Sequence, residues 1–107
     1  MMKLVWHKEA KEALRDTATY IRRHFGQKVR ARFRAEVALV ETFLISNPRM
    51  GIVEPLLANR KKEYRSFVIG KLNKIVYYIE DDTIHIADFW DTRREPNAQA
   101  RQVNDES

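Results

Sequence analysis

The stretch from Glu63 to Pro96, EYRSFVIGKLNKIVYYIEDDTIHIADFWDTRREP, limits what this chain can become more than any other part of it. Tyr64, Ser66 and Val68 alternate with Arg65, Phe67 and Ile69. Ile75, Tyr77 and Ile79 alternate in the same way with Lys74, Val76 and Tyr78. Period-two runs rich in Val, Ile, Tyr and Phe fit a pleated, half-buried surface. Gly70 to Asn73 predicts one turn and Asp81-Asp82 a tighter one, so three strands follow one another as a meander. One face of such a sheet must bury, and the other can meet a partner.

Two helices precede the meander. Leu4-Val5-Trp6 is a short strand that joins the later sheet. From His7 to Phe25, Ala10, Leu14, Thr17 or Ala18, Ile21 and Phe25 recur at helical spacing, and Gly26 suits the cap. From Gln27 to Ser46, Val29, Phe33, Val37, Val40 and Leu44 repeat the pattern. Lys28, Arg30, Arg32 and Arg34 crowd the start of that second helix, where cations oppose the helix dipole. Asn47-Pro48 stops it, because the residue before proline disfavours helical backbone. So short a link makes the helices an antiparallel hairpin. Pro48 to Lys62 reads as a connector pinned to the core by Ile52, Val53, Leu56 and Leu57. The predicted fold is α+β and two-layered: a helical hairpin on a small, mostly antiparallel sheet, in the order β-α-α-β-β-β. Residues 1–96 form one domain in this reading, and 97–107, NAQARQVNDES, a polar C-terminal tail.

A chain of 107 residues suits one core, and 44% hydrophobic with 33% charged residues suits a folded, soluble domain. No apolar run approaches the roughly 20 residues of a membrane helix. Cysteine is absent, so disulfides and thiolate ligands are excluded and a cytoplasmic setting fits. His7, His24 and His85 share no ligand spacing, which predicts no metal site. Three glycines form no phosphate loop, and Ser46 and Ser66 lack a nucleophile context, so no cofactor is expected.

Net charge is +5, unevenly spread. Residues 60–74 carry Arg60, Lys61, Lys62, Arg65, Lys71 and Lys74 against Glu63 alone, while residues 75–92 carry five acids and no base. The dense basic segment predicts an anion or an acidic partner. A solvated edge that blocks strand pairing is the plainer reading. Arg65, Lys74, Arg93 and Arg94 are the candidates for one phosphate site, as in a metal-free ribonuclease. Tyr64, Tyr77, Tyr78, His85, Asp88 and Asp91 are the candidate proton carriers. Against this, Tyr77 suits the core with Ile75 and Ile79, and Asp88 or Asp91 suits an ion pair with Arg65 or Arg93. Arg65, embedded between Tyr64 and Phe67, is expected to organise whatever site exists.

These pieces, in order, resemble the RelE/ParE superfamily of toxins from bacterial type II toxin–antitoxin systems, from Leu4 to Pro96. The resemblance rests on Val5-Trp6 with Glu9-Ala10, Tyr20-Ile21, Asn47-Pro48-Arg49-Met50-Gly51 and Tyr64-Arg65. It continues through Lys74-Ile75-Val76-Tyr77-Tyr78 and Ile84-His85-Ile86 to Arg93-Arg94-Glu95-Pro96. It implies a growth-inhibiting toxin of a plasmid-stabilisation type module, held in a hetero-oligomer with a cognate antitoxin. Members of the RelE kind are ribosome-dependent mRNA interferases that use basic strand residues and a Tyr or His near the C-terminus. Arg65, Lys74, Arg93, Arg94 and Tyr78 would then be the catalytic set. The ending Asp91-Thr92-Arg93-Arg94-Glu95-Pro96 has no such Tyr or His, and so looks more like the ParE branch, which poisons DNA gyrase by binding. On that branch the chain is not an enzyme, and Arg60, Lys61, Lys62, Arg65, Lys71, Lys74, Arg93 and Arg94 are expected to contact the target. An inactivated relative serving as an interaction module is the remaining alternative.

Overall fold

Gly26 alone joins the two helices, and the fold is laid down from that corner. The computed structural model describes residues 2–94 and 96–103. Helix α1 runs Lys8–Phe25 and α2 runs Gln27–Ser46. Gly26, at φ 95°, donates its N–H to Arg22 O and offers its own carbonyl to Arg30 N, at 3.0 and 3.2 Å. A positive φ is cheap only for glycine, so one residue ends α1, starts α2 and reverses the chain.

Five strands form one sheet. They are β1 (Lys3–Trp6), β2 (Ile52–Val53), β3 (Arg65–Ile69), β4 (Asn73–Glu80) and β5 (Thr83–Asp91), in the spatial order β1-β5-β4-β3-β2. The meander is antiparallel throughout, and β1 adds to β5 in parallel with Val5 opposite His85. The tight turn holds Asp81 at φ 55°, a conformation Asp tolerates better than most residues, and Asp82 O accepts Lys3 N–H at 2.8 Å. A bulge in β5 breaks the register between Val76↔Asp88 and Tyr77↔Ile86. The extra residue, Ala87, reverses the alternation, so Ile84 and Ile86 before it and Phe89 after it all enter the same core.

That core lies between the sheet and the helical hairpin. Ala10, Leu14 and Ala18 of α1 and Phe33, Val37, Val40 and Leu44 of α2 meet Ile69, Ile75, Tyr77, Ile84 and Ile86. The result is the α+β arrangement expected, with two helices packed on a mixed sheet. The connector departs from expectation. Ile52 and Val53 are 67% and 45% exposed and form an edge strand against Ser66 and Arg65, so of the apolar pair positions only Leu57 is fully buried. Two residues are too few to show alternation. Residues 55–57 make a 3-10 turn, and Pro96–Arg101 form a short helix, α3. Both pack on the sheet face away from the hairpin, where Leu57, Tyr64, Val76, Tyr78, Trp90, Ala100 and Val103 build a second, smaller cluster. Through Ala100 and Val103 this first part of the polar C-terminal segment packs against the sheet, while 104–107 lie outside the described residues.

Candidate functional site

Strand alternation decides where the basic residues point. The β3–β4 register runs unbroken from Arg65↔Tyr77 to Ile69↔Asn73. Arg65 therefore shares the hairpin-side face with Ile75 and Tyr77, and Lys74 shares the opposite face with Ser66 and Val76. No single phosphate sits against both.

Most of these bases are also engaged. Arg65 donates Nη1 to Gly51 O at 2.7 Å and Nη2 to Glu63 Oε1 at 3.1 Å. It pairs with neither Asp88 nor Asp91, because both lie on β5 and β4 stands between β5 and β3. Lys74 Nζ lies 2.6 Å from Glu54 Oε1 and 5.1 Å from the centre of the Trp90 ring. Arg60 spends both terminal nitrogens on the last carbonyls of the C-terminal segment, Val103 O at 2.9 Å and Ala100 O at 2.8 Å. Arg93 grips Asp91 with Nε and Nη2, each at 3.1 Å. Lys62 Nζ sits 5.2 Å over the Tyr78 ring. Lys61, Lys71 and Arg94 stand on the exposed surface. Arg65→Ala is accordingly expected to cost about 1.5–3 kcal/mol in a urea titration, the worth of hydrogen bonds to a charged group. Arg65→Lys should recover only part of it, since one ammonium cannot reproduce the planar fork.

The proposed proton carriers are similarly held. Tyr77 is wholly buried. Its hydroxyl donates to Pro48 O at 2.7 Å and accepts Gly51 N–H at 2.9 Å, and burial lifts its pKa despite that N–H. A Cβ on Gly51 would lie 2.7 Å from the Tyr77 hydroxyl, so only glycine fits there. Burial also raises Asp88, although Phe89 N–H and Trp90 Nε1 each donate to it at 2.8 Å. Asp91 is lowered, chiefly by its bond from Arg93.

Sequence reasoning offered His85 as a candidate proton carrier and missed what it meets. His7 Nε2 and His85 Nδ1 are 3.1 Å apart, so one ring donates an N–H to the other, the tautomers setting which. The His85 ring stacks on Tyr78 at 4.7 Å and 6°, and Tyr64 meets Tyr78 edge-on at 5.5 Å. No spacing in the sequence signals this group, which forms only because β1 delivers His7 beside β5. Burial, then His85 and Lys62, lower the His7 pKa against the pull of Glu9. The unfolded chain therefore takes up this proton first as pH falls from about 6.5, so stability should drop as acidity moves from there toward the lower folded value. Melting temperatures at pH 7.5 and 5.5 check this, and His7→Gln should flatten the dependence.

A groove of about 680 Å³ opens between α1 and the far end of the meander. Glu9, Glu12 and Asp16, at spacings of three and four, line it from α1. Tyr20 and Phe25 follow them, 46% and 63% exposed, and Arg93 and Arg94 come from the segment after β5. It is an apolar trough with carboxylates at one part and guanidiniums at another. Among the described residues no three His, Cys, Asp or Glu side chains gather as a metal site, and no helix is long and apolar enough to cross a membrane.

Comparison with known proteins places this architecture. A family model described as ParE toxin of type II toxin-antitoxin system, parDE, matches residues 4–96. A solved structure titled "Chromosomal ParDE TA system from P. aeruginosa" is similar with a TM-score of 0.69 at 14% identity, covering 85% of this chain and 96% of that one. No curated protein matches.

Proposed function

The chain belongs to the ParE toxin family of type II toxin–antitoxin systems, and from that premise we propose that it arrests growth by binding and poisoning DNA gyrase, until a cognate antitoxin covers it. One observation carries the choice of binding over cleavage. Arg65 and Lys74 point to opposite faces, and Arg65, Lys74 and Arg93 each already hold a carboxylate. A metal-free nuclease needs its cations around one phosphate and a proton carrier within reach. Target contact then falls to bases at the surface, Lys61, Lys62, Lys71, Arg93 and Arg94. Arg60, Arg65 and Lys74 serve the fold that presents them. The groove beside α1 supports the antitoxin half of the reading, because an antitoxin segment can fill such a trough by helix-in-groove docking. The pair acts in the cytoplasm, where its target is, as an addiction module.

Ribosome-dependent mRNA cleavage is a second reading, favoured by the paired His7 and His85 beside Tyr78 and Lys62. Expressing the chain without its antitoxin, then assaying purified protein, separates the two. The proposal expects growth arrest, loss of supercoiling and trapped cleaved DNA. Arrest with supercoiling intact and ribosome-bound mRNA cut would sink it. No toxicity at all would leave an interaction module.

A further inference from the structure

We propose that the solvent side of α2 is a second docking strip, and that its occupant is an amphipathic helix of the antitoxin, apolar along one half and acidic at one end. This rests on the toxin–antitoxin reading above and adds the surface and the chemistry of the partner. Helix α2 buries Phe33, Val37, Val40 and Leu44 against the sheet. Away from them run Lys28, Arg32, Ala35, Leu39 and Phe43, at i, i+4, i+7, i+11 and i+15. That spacing makes one straight strip, roughly 22 Å long at the rise of an α-helix. Leu39 is 53% exposed and Phe43 49%. A helix with apolar residues on both sides is usually covered on both sides.

The basic end says what kind of cover fits. Lys28 and Arg32 are exposed, and among the described residues neither makes an ion pair. No acid stands in the first turn to balance them against the helix dipole. The acids of α2 are turned elsewhere. Glu41 accepts Trp6 Nε1 at 2.8 Å, and Glu36 Oε2 lies 3.8 Å from where a Cβ on Gly70 would stand, across in the β3–β4 turn. A nucleic acid would satisfy the cations and leave Leu39 and Phe43 in water. A second copy of this chain would cover the apolar half but brings another +5 and the same Lys28 and Arg32 cations at the basic end. A partner helix with acids over Lys28 and Arg32 and apolar residues over Leu39 and Phe43 answers both ends of the strip.

The test uses the full chain and the protein encoded beside its gene, purified and titrated by calorimetry at low and physiological salt. Leu39→Asp with Phe43→Asp should weaken binding at least tenfold while the melting temperature and toxicity stay. Leu39→Ser with Phe43→Ser serves if the aspartates unfold the chain. Lys28→Glu with Arg32→Glu should weaken binding at least tenfold at low salt and flatten its salt dependence. If wild type binds and both sets bind equally well, the strip is wrong while the toxin–antitoxin reading stands. If wild type does not bind its neighbour, that reading fails and the strip with it. A wild-type dimer that the apolar variants split, with partner affinity unchanged, would assign the strip to a second copy. Duplex DNA binding lost only with the basic variants would assign it to nucleic acid. Either result overturns the proposal.

Discussion

Lys74→Met is expected to lower the unfolding free energy by roughly 3–5 kcal/mol at neutral pH, the usual cost of stranding one partner of a buried ion pair. Glu54 is 1% exposed, and Lys74 holds it from the adjoining face of β4. Burial works to raise the Glu54 pKa, but Lys74, the Leu56 N–H and the Ser66 hydroxyl outweigh it and hold the carboxyl below its usual range. A lowered folded pKa gives stability that is present above the unfolded pKa and lost as pH falls through the folded one. Without Lys74, only the Leu56 N–H and the Ser66 hydroxyl oppose burial and the Glu54 pKa rises, so the variant should lose less stability than wild type as acid neutralises Glu54. Chemical denaturation from pH 7 down to pH 4 should therefore show the gap to wild type narrowing. Glu54→Met added to Lys74→Met should recover much of the loss, since two apolar side chains can replace such a pair. A gap that stays constant with pH would mean that Glu54 is not the source of the cost.

Trp90→Ala should cost about 3–5 kcal/mol, the range for removing a large aromatic from a packed core. It should also release the C-terminal segment before the rest of the molecule unfolds. Trp90 is 2% exposed and sits centrally in the cluster that α3 joins through Ala100 and Val103. Its Nε1 donates to Asp88, and its ring carries the Lys74 ammonium. Truncation removes the surface under α3 and leaves Asp88 with one donor fewer. Hydrogen exchange should show amides of residues 96–103 losing protection while those of β4 stay protected in the remaining native population. Protection lost evenly across the sheet would show that α3 is not a separate unit.

Both sites were unevenly legible in the sequence, for reasons that lie in range. The helical hairpin was readable because Ala10, Leu14 and Ala18, and Phe33, Val37, Val40 and Leu44, report their buried side locally. The opposition of Arg65 and Lys74 was not, since the sequence offered both for one phosphate site and alternation separates them only once the β3–β4 register is known. Edge strand β2 was not readable, because Ile52-Val53 is too short for a period. Nor was α3, since NAQAR has no apolar stripe and depends on Arg60, some forty positions back, to hold its last carbonyls. The His7–His85 pair needed the one parallel contact in the sheet, which nothing local announces. The acids that line the groove share one face of α1 by their spacing, but what that face meets came only with the meander's far end in place.

That parallel contact also sets when the molecule can exist during its own synthesis. Strand β1 is made before the rest of this sheet, yet its partner residues begin at Thr83, 80 positions after Lys3. At about 5–20 residues per second, the ribosome needs on the order of 4–16 seconds to supply them. Helices α1 and α2 can close on each other meanwhile, because Gly26 keeps their contacts local and cheap in chain entropy. The sheet edge that seats His7 stays open until β5 clears the exit tunnel. A ribosome translating this stretch therefore carries an unfinished sheet until β5 has emerged.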